Sequence, residues 1–312
     1  MSRAEAAALG WDPLDVIIVT GDAYVDHPAF GAALIGRALV AAGFRVGIIA
    51  QPDWRGNADF QQLGVPRLFF GVTAGNLDSI VSHYTPQRKR RSDDAYAPNA
   101  QAGLRPDHAS VVYAQCLRRA VSARVPIVLG GIEASMRRIP HYDYYSDTVR
   151  NSVLLDAKAD VLVYGMGERA VTELAAALAA GTPIASLTGV RGTVVTTRTC
   201  DAEPSVQLPS LADARTRDGF FTLTKTFETH YRTTPLFQPF AGRFLKHNPP
   251  AEPLTTAALD AVYDLPFARA PHPRYRGARI PAFVQIKDSI TSHRGCFGGC
   301  NFCALGQHQG KT

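Results

Sequence analysis

The stretch Asp15-Val16-Ile17-Ile18-Val19-Thr20-Gly21-Asp22 decides the fold, because a row of β-branched residues in it ends in a glycine. A short continuous run of this kind is typical of a buried strand in a parallel sheet. Residues 28–42 follow with apolar side chains at helical spacing, and Gly43 stands where a helix commonly ends. Residues 45–50 (RVGIIA) predict a second strand, so the chain opens with a strand–helix–strand unit.

The same alternation continues along much of the chain. Further strands are predicted at residues 67–72, 125–129, 160–164 and 191–197, with helices at residues 59–63 and 108–123 and an alanine-rich helix ending at residue 180. Strands and helices that alternate with short connections favour a doubly wound, mostly parallel α/β sheet. We therefore expect a Rossmann-like α/β domain over residues 1–199.

Glycines stand at or near the ends of several predicted strands, at Gly21, Gly71, Gly130 and Gly165. The carboxyl ends of strands in an open α/β sheet form the edge where ligands bind. Glycine also serves ordinary tight turns at such positions. The pattern predicts a ligand site at this edge and leaves the simple turn as the alternative.

The later part of the chain has a looser pattern. Residues 200–279 are rich in proline and contain one helical candidate at residues 219–231, which favours a connector without a core of its own. Residues 280–290 (IPAFVQIKDSI) predict a strand that leads into the last cysteines. Residues 83–107 form a polar loop of a length that is usually functional or mobile.

Composition narrows the class of protein. A chain of 312 residues with 46% hydrophobic content can bury a large core. Its net charge of +6 is dispersed, and acidic residues directly follow the one dense basic run at residues 88–91, so nucleic-acid binding is not indicated. The sequence contains neither a long apolar window nor a signal-peptide pattern. We expect a cytoplasmic protein without a membrane partner.

Three of the five cysteines, Cys296, Cys300 and Cys303, cluster with the spacing C-x3-C-x2-C. In a reducing compartment such a cluster indicates a metal site more often than disulfides. Three thiolates favour a [4Fe–4S] cluster with one iron left open. The alternative is zinc, which needs a fourth ligand and would have to recruit His293 or His308. The remaining cysteines, at positions 116 and 200, are expected to be ordinary thiols.

The cysteine stretch resembles the signature of radical S-adenosylmethionine (SAM) proteins, and the wider sequence resembles their YgiQ-type branch. The matching stretches are Val19-Thr20-Gly21-Asp22-Ala23-Tyr24-Val25-Asp26-His27-Pro28, Ile48-Ile49-Ala50-Gln51-Pro52-Asp53-Trp54, Phe70-Gly71-Val72-Thr73-Ala74-Gly75-Asn76, Gly130-Gly131-Ile132-Glu133-Ala134-Ser135, His141-Tyr142-Asp143-Tyr144 and Arg294-Gly295-Cys296-Phe297-Gly298-Gly299-Cys300. They span nearly the whole chain.

The resemblance implies that Cys296, Cys300 and Cys303 hold a [4Fe–4S] cluster, that SAM binds its open iron, and that Phe302 lies against the adenine. It implies a one-electron reductant of the flavodoxin or ferredoxin type and a 5′-deoxyadenosyl radical that acts on an unknown substrate. It also implies that residues 280–312 are the first strand and cluster loop of a truncated partial (β/α) barrel. As it stands, this piece would then be inactive, and the alternatives are a non-catalytic binding module or a zinc-stabilised domain.

By the same resemblance, the N-terminal unit is similar to the cobalamin-binding-like domain that precedes some radical SAM barrels. The motif D-x-H-x-x-G of base-off cobalamin binding is not met, because Asp26 and His27 are adjacent. Cobalamin is therefore not expected.

Two further groups of residues are candidates for substrate or interdomain contacts. Tyr24, Asp26 and His27 follow the first strand, although Asp26 would also suit the N-cap of a helix beginning near residue 28. The second group lies in a segment dense in polar and aromatic residues after the fourth predicted strand, and consists of Glu133, His141, Tyr142 and Asp143. The alternative for this group is a hydrogen-bonded packing segment.

Overall fold

The computed structural model describes residues 2–200, 203–298, 300, 303 and 305–310. Its strands are β1 (Val16–Thr20), β2 (Val25–Asp26), β3 (Val46–Ala50), β4 (Phe69–Thr73), β5 (Ile127–Gly130), β6 (His141–Asp143), β7 (Thr148–Arg150), β8 (Val161–Val163), β9 (Thr193–Thr197), β10 (Val206–Gln207), β11 (Leu236–Phe240), β12 (Arg243–His247) and β13 (Ala270–Pro271). Its α-helices are α1 (Arg3–Ala8), α2 (Gly31–Ala41), α3 (Ala58–Gln61), α4 (Ser79–His83), α5 (Ala109–Ala120), α6 (Gly131–Met136), α7 (Val153–Asp156), α8 (Glu168–Ala179), α9 (Leu211–Ala214), α10 (Arg217–His230), α11 (Thr256–Tyr263), α12 (Pro281–Ile286) and α13 (Leu305–His308).

Within the described residues, nine strands form one sheet in the order β10-β11-β12-β9-β8-β5-β4-β1-β3. The five strands β3, β1, β4, β5 and β8 are parallel neighbours, and β9 and β12 continue the sheet in antiparallel pairs. The predicted doubly wound, mostly parallel α/β fold is confirmed. The direction of winding reverses between β1 and β4, and open sheets of this kind bind ligands at the carboxyl ends of their strands near such a reversal.

Helices cover both faces of the parallel part of the sheet. Ile17 and Val19 of β1 face one core layer, which includes Tyr113 of α5. Val16 and Ile18 of β1 face the other layer, with Leu39 of α2. All five residues of β1 are buried, and burial on both faces explains why the strand is a continuous apolar run in the sequence.

Residues 200–279 contribute to the sheet, which differs from the predicted connector. β10, β11 and β12 extend the sheet beyond residue 199, and Leu223 and Phe227 of α10 form a small core with Leu236 of β11. The sequence did not predict β11 because Pro239 lies within it, and a proline argues against a strand. Pro239 is tolerated because β10 pairs only with Leu236 and Phe237, so that no described strand lies along this edge of Pro239.

The predicted strand at residues 280–290 is wrong, because the structure has helix α12 there. Pro281 occupies the first turn, where its missing N–H costs nothing. Ile280 and Ala282 are buried against a cluster that contains Val25. The first strand of a barrel is therefore absent from the described residues at this position, whereas the helix predicted at residues 219–231 is confirmed as α10. No helix in the described ranges is both long and apolar enough to cross a membrane.

Candidate functional site

The three clustered cysteines are exposed and their thiols are unpaired. A Cβ atom placed on Gly298 would lie 3.3 Å from Sγ of Cys296 and 3.8 Å from Sγ of Cys300, so both thiols flank one point. The amide of Gly298 also donates to Sγ of Cys296 at 3.4 Å. Cys303 is not gathered with them, since no three Cys, His, Asp or Glu side chains among the described residues are arranged to hold a metal.

An ion pair fixes the chain just before the cysteines to the sheet. Nη1 of Arg294 lies 2.6 Å from Oε1 of Glu168, the first residue of α8, and both side chains are about nine-tenths buried. Nε of Arg294 donates to the hydroxyl of Tyr263 at 2.9 Å. Burial alone would lower the pKa of Arg294, but the charge of Glu168 and the hydrogen bond to Tyr263 outweigh this effect. The pKa of Arg294 is therefore raised. The cysteine loop therefore starts from a charged anchor at the edge of the sheet.

A second set of contacts fixes the chain after the cysteines. The amide of Cys296 donates to the carbonyl of Gly310 at 3.2 Å, which closes the loop on itself. In α13, Nδ1 of His308 lies 2.8 Å from Oγ of Ser135 in α6. Burial and the nearby positive charge of Arg138 lower the pKa of His308 to about 4, so this imidazole is neutral. The contact with Ser135 also occupies one of the two nitrogens that the zinc alternative could use.

Arg138 joins α13 to the core of the molecule. Its side chain is buried, with its guanidinium 4.8 Å from the ring centre of Tyr164 and 5.0 Å from that of Phe227. Nε donates to Nε2 of His247 at 2.9 Å, and Nη2 donates to Oε1 of Gln307 at 3.2 Å. Burial and then Arg138 lower the pKa of His247, which keeps that ring neutral as an acceptor. Sequence reasoning missed this network because its members are scattered along the chain.

A cavity of about 410 Å³ lies at the carboxyl edge of the sheet. It extends between the sheet and helices α2 and α8, and three of the four glycines noted at strand ends, Gly71, Gly130 and Gly165, line it. Gly165 has a positive φ of 73°, and a Cβ atom there would lie 3.3 Å from the carbonyl oxygen of His308. The structure thus has a cavity where the sequence predicts a ligand site. Arg294 and His308 line it too, so the segment that carries the cysteines borders the cavity.

Asp26 does not cap a helix, contrary to one of the two interpretations of its position. α2 begins at Gly31 after Phe30, without a side-chain cap. Asp26 instead pairs with Arg37 and accepts a hydrogen bond from the amide of Ala268 at 2.8 Å.

The neighbours of Asp26 also make internal contacts. The hydroxyl of Tyr24 donates to Asp26 at 3.4 Å, and burial followed by the charge of Asp26 raises the pKa of Tyr24. His27 is buried and accepts from the amide of Ala29 at 3.1 Å. Both contacts are local to this segment, and β2 itself pairs antiparallel with β13 through the backbone.

The second group of candidates is also engaged within the protein. Glu133 is buried and accepts from the amides of Ser79 and Ser110 at 2.8 and 2.9 Å, at the start of α4 and near the start of α5. Such contacts match the packing alternative.

The other members of this group lie on or beside the β6–β7 hairpin. His141 lies 3.0 Å from Nη1 of Arg137. Asp143 is buried, with Oδ1 3.9 Å from Nη1 of Arg137 and Oδ2 3.9 Å from Nη1 of Arg150. Tyr142 is exposed, and its hydroxyl donates a hydrogen bond to Asp147.

Of the described residues that line the cavity, none belongs to either group of predicted substrate residues. Their role toward a substrate stays a prediction. Phe302, the predicted adenine contact, lies outside the described residues.

A family model described as radical SAM N-terminal matches residues 1–289. The chain belongs to this family. The resemblance to YgiQ-type radical SAM proteins is thereby confirmed, and relatives of the same kind extend the match through the cysteines. UPF0313 protein GSU2873 of Geobacter sulfurreducens is 53% identical over 318 residues, which cover 100% of this chain and 52% of that protein. UPF0313 protein RPA0679 of Rhodopseudomonas palustris is 49% identical, with coverages of 100% and 50%. The chain spans about half the length of these curated relatives.

Solved structures give a weaker likeness for this member of the radical SAM N-terminal family. Two structures of the radical SAM methyltransferase TsrM from Kitasatospora setae align with TM-scores of 0.37 and 0.38. The sequence identities are 18% and 19%, and the alignments cover 58% of this chain and 28% or 27% of TsrM. One of those structures contains tryptophan and a SAM analogue, and the other contains cobalamin and a [4Fe–4S] cluster.

Proposed function

We propose that Cys296, Cys300 and Cys303 hold a [4Fe–4S] cluster, and that this chain is the N-terminal part of a radical SAM enzyme. The observation that carries the proposal is the pair of exposed thiols, those of Cys296 and Cys300, which flank one point beside Gly298 in a chain of this family. Unpaired thiols supply the ligand chemistry that iron–sulfur clusters require. Cys303 would have to move toward the other two when a cluster assembles.

Three protein thiolates would leave one iron of a [4Fe–4S] cluster open for SAM. The cluster would supply one electron, taken from a flavodoxin- or ferredoxin-type reductant, for cleavage of the C5′–S bond of SAM. The products of this cleavage would be methionine and a 5′-deoxyadenosyl radical. The radical would take a hydrogen atom from an unidentified substrate. The chain's own residues orient this chemistry. Arg294 and Gln307 fix the two ends of the cysteine loop, and the resemblance assigns Phe302 to the adenine of SAM.

Anaerobic reconstitution with iron and sulfide tests the proposal. The wild-type protein should take up about four iron and four sulfide ions per chain and gain sulfide-to-iron charge-transfer absorbance. Cys300→Ala should lose both. Cys200→Ala is the matched control, because it removes an exposed thiol outside the loop and should load like the wild type. Equal iron uptake by Cys300→Ala would overturn the proposal, and so would zinc without sulfide in the purified protein.

A further inference from the structure

A hydrogen-bonded turn in the polar loop after α4 carries four consecutive cations. These are residues 88–91 (RKRR), here named the basic turn, and all four side chains are exposed. An antiparallel bridge between Tyr84 and Arg90 and a hydrogen bond of 2.9 Å from the amide of Thr85 to the carbonyl of Lys89 fix its backbone. None of the four side chains forms an ion pair with another described residue. The turn therefore presents its positive charges to solvent.

The acidic residues that follow the basic turn in the sequence do not neutralise it. Asp94 is buried, with Oδ2 3.1 Å from Nη2 of Arg105, so its charge is balanced inside the protein. Asp93 is exposed and forms no ion pair with a described residue. Four cations and one free carboxylate leave residues 88–93 with a charge of +3. Such a local excess of positive charge attracts anions.

An exposed aromatic ring lies beside the basic turn. The side chain of Tyr142 in β6 is 52% exposed. Its hydrogen bond to Asp147 raises the pKa of Tyr142, and the nearby positive charge of Arg88 opposes that shift. The ring centres of Tyr84 and Tyr145 lie 4.2 Å apart, which joins the base of the turn to the segment after β6. A solvent-exposed aromatic surface thus adjoins the four cations.

An open groove of about 780 Å³ begins at Tyr142 and is bordered by the β6–β7 hairpin and the end of α9. The charged side chains that line it are two carboxylates and two guanidinium groups, those of Asp147, Asp156, Arg150 and Arg215. Both carboxylates are engaged, since Asp147 accepts from Tyr142 and Asp156 lies 3.5 Å from Arg150. Arg215 is exposed and forms no ion pair within the described part of the chain. The groove therefore continues the positive surface on the other side of Tyr142.

We propose that the basic turn, Tyr142 and this groove together bind a single-stranded nucleic acid. Phosphates pair with the cations of the turn and with Arg215, and one base stacks on the ring of Tyr142. The groove holds the adjoining nucleotides, where the amide of Asn151 can donate to or accept from a base edge. This surface is separate from the cysteine loop, and the proposal does not depend on a cluster.

The combination of charge, ring and groove favours a single strand over other anionic partners. Proteins that bind single strands without sequence preference combine a positively charged groove with aromatic side chains on which bases stack. A duplex keeps its bases paired and is recognised by shape, so it would not use the ring of Tyr142. An acidic protein would satisfy the cations and leave the exposed ring without a role.

Fluorescence anisotropy with a labelled oligothymidylate of about 12 nucleotides tests the phosphate contacts. The logarithm of the association constant should fall with the logarithm of the salt concentration, with a slope of about −3.5 for five contacts. The double variant Arg88→Gln/Arg91→Gln should bind about tenfold more weakly, with a slope shallower by about 1.4. The double variant Arg169→Gln/Arg276→Gln is the matched control, because it removes two exposed cations outside this surface and should bind like the wild type.

An abasic strand of the same length tests the stacking, because it keeps the phosphates and lacks the bases. It should bind the wild type about fivefold more weakly or less tightly still, the effect of losing one stacked base. Tyr142→Ala should weaken binding of oligothymidylate by a similar factor and leave binding of the abasic strand unchanged. Tyr142→Phe keeps the ring and should bind like the wild type, which separates stacking from the hydrogen bond to Asp147.

All of these titrations use the iron-free protein, so a failure of cluster assembly does not affect them. The substituted side chains are exposed, and circular dichroism checks that each variant is folded. Oligouridylate of the same length, compared with oligothymidylate, distinguishes RNA from DNA as the source of the strand. Wild-type affinity in Arg88→Gln/Arg91→Gln or in Tyr142→Ala would overturn the proposal. So would equal binding of the abasic strand, or competition by a duplex or by polyglutamate as strong as that by the single strand.

Discussion

At the scale of single residues, His141 shows how burial sets the charge of a side chain in this protein. Burial, and then the guanidinium of Arg137 at 3.0 Å, lower the pKa of His141 to about 4 from an ordinary value of 6.5. The folded protein therefore keeps this ring neutral at pH values where the unfolded chain binds a proton. Its contribution to stability is complete above pH 6.5 and is lost as the pH falls toward 4.

We predict that His141→Gln reduces the dependence of stability on pH. Between pH 7 and pH 5, the free energy of unfolding of the wild type should fall by about 1–2 kcal/mol more than that of the variant, because proton uptake by the unfolded imidazole is removed. Urea denaturation at both pH values measures the difference. Tyr142→Phe, a change at the exposed neighbouring side chain, should keep the wild-type dependence. An unchanged pH dependence in His141→Gln would refute the stated environment of this ring.

The sequence was informative about residues whose signal is local. The spacing of Cys296, Cys300 and Cys303 predicts a metal site within one short loop. Arg294 is equally important to the loop, but its partner Glu168 lies on α8, and a pairing across the fold leaves no local pattern. Glu133 illustrates the opposite case, although its role toward a substrate stays a prediction. A polar residue at the carboxyl edge of a strand looks functional until its buried contacts to backbone amides are seen.

At the scale of elements, the strands buried on both faces were the most predictable. β1 and β3 are continuous apolar runs, and their existence follows from composition over a few residues. α12 was mistaken for a strand because a short apolar run fits either structure, and the weight of Pro281 as a helix-starting residue was missed. β11 was missed because proline within a run argues against a central strand, whereas Pro239 stands past the end of its neighbour β10.

The long polar loop between α4 and α5 is held by a buried ionic cluster. Arg105 is fully buried, with Nη2 2.9 Å from Oδ1 of Asp22 and 3.1 Å from Oδ2 of Asp94. Asp22 follows β1, so the cluster ties the loop to the carboxyl edge of the sheet. Burial raises the pKa of Asp22 to about 6 even though Arg105 opposes the shift. The burial of Asp22 and Asp94 side by side therefore depends on the positive charge of Arg105.

We predict that Arg105→Met destabilises the protein and releases this loop. Two buried carboxylates would lose their cation, which should lower the free energy of unfolding by about 3–5 kcal/mol. Hydrogen exchange of the backbone over residues 94–105 should accelerate. Arg124→Met is the control, since Arg124 is 85% exposed in its pair with Asp160 and its loss should cost less than about 1 kcal/mol. Equal effects of the two substitutions would show that the cluster does not hold the loop.

At the scale of the whole molecule, the cysteine loop is fastened to the sheet from both ends. Arg294 connects its beginning to α8, and His308 and Gln307 connect the chain after it to α6 and to the aromatic surroundings of Arg138. The same segment borders the sheet-edge cavity. Binding of a metal by the three thiols should therefore stabilise the sheet as well as the loop, because these contacts join the loop to the sheet.

Loading with iron and sulfide should thus raise the melting temperature of the whole domain rather than of the loop. A ligand present at about 100 times its dissociation constant stabilises the folded state by about 2.7 kcal/mol, which corresponds to a rise of roughly 5 °C in a domain of this size. Differential scanning calorimetry before and after reconstitution measures the shift, and removal of iron by a chelator should reverse it. Cys296→Ala, which lacks one thiolate, should melt at the same temperature with or without iron. If the reconstituted wild type melts at the temperature of the iron-free protein although it has bound iron, the loop is not coupled to the sheet and the anchoring role of Arg294 and His308 is wrong.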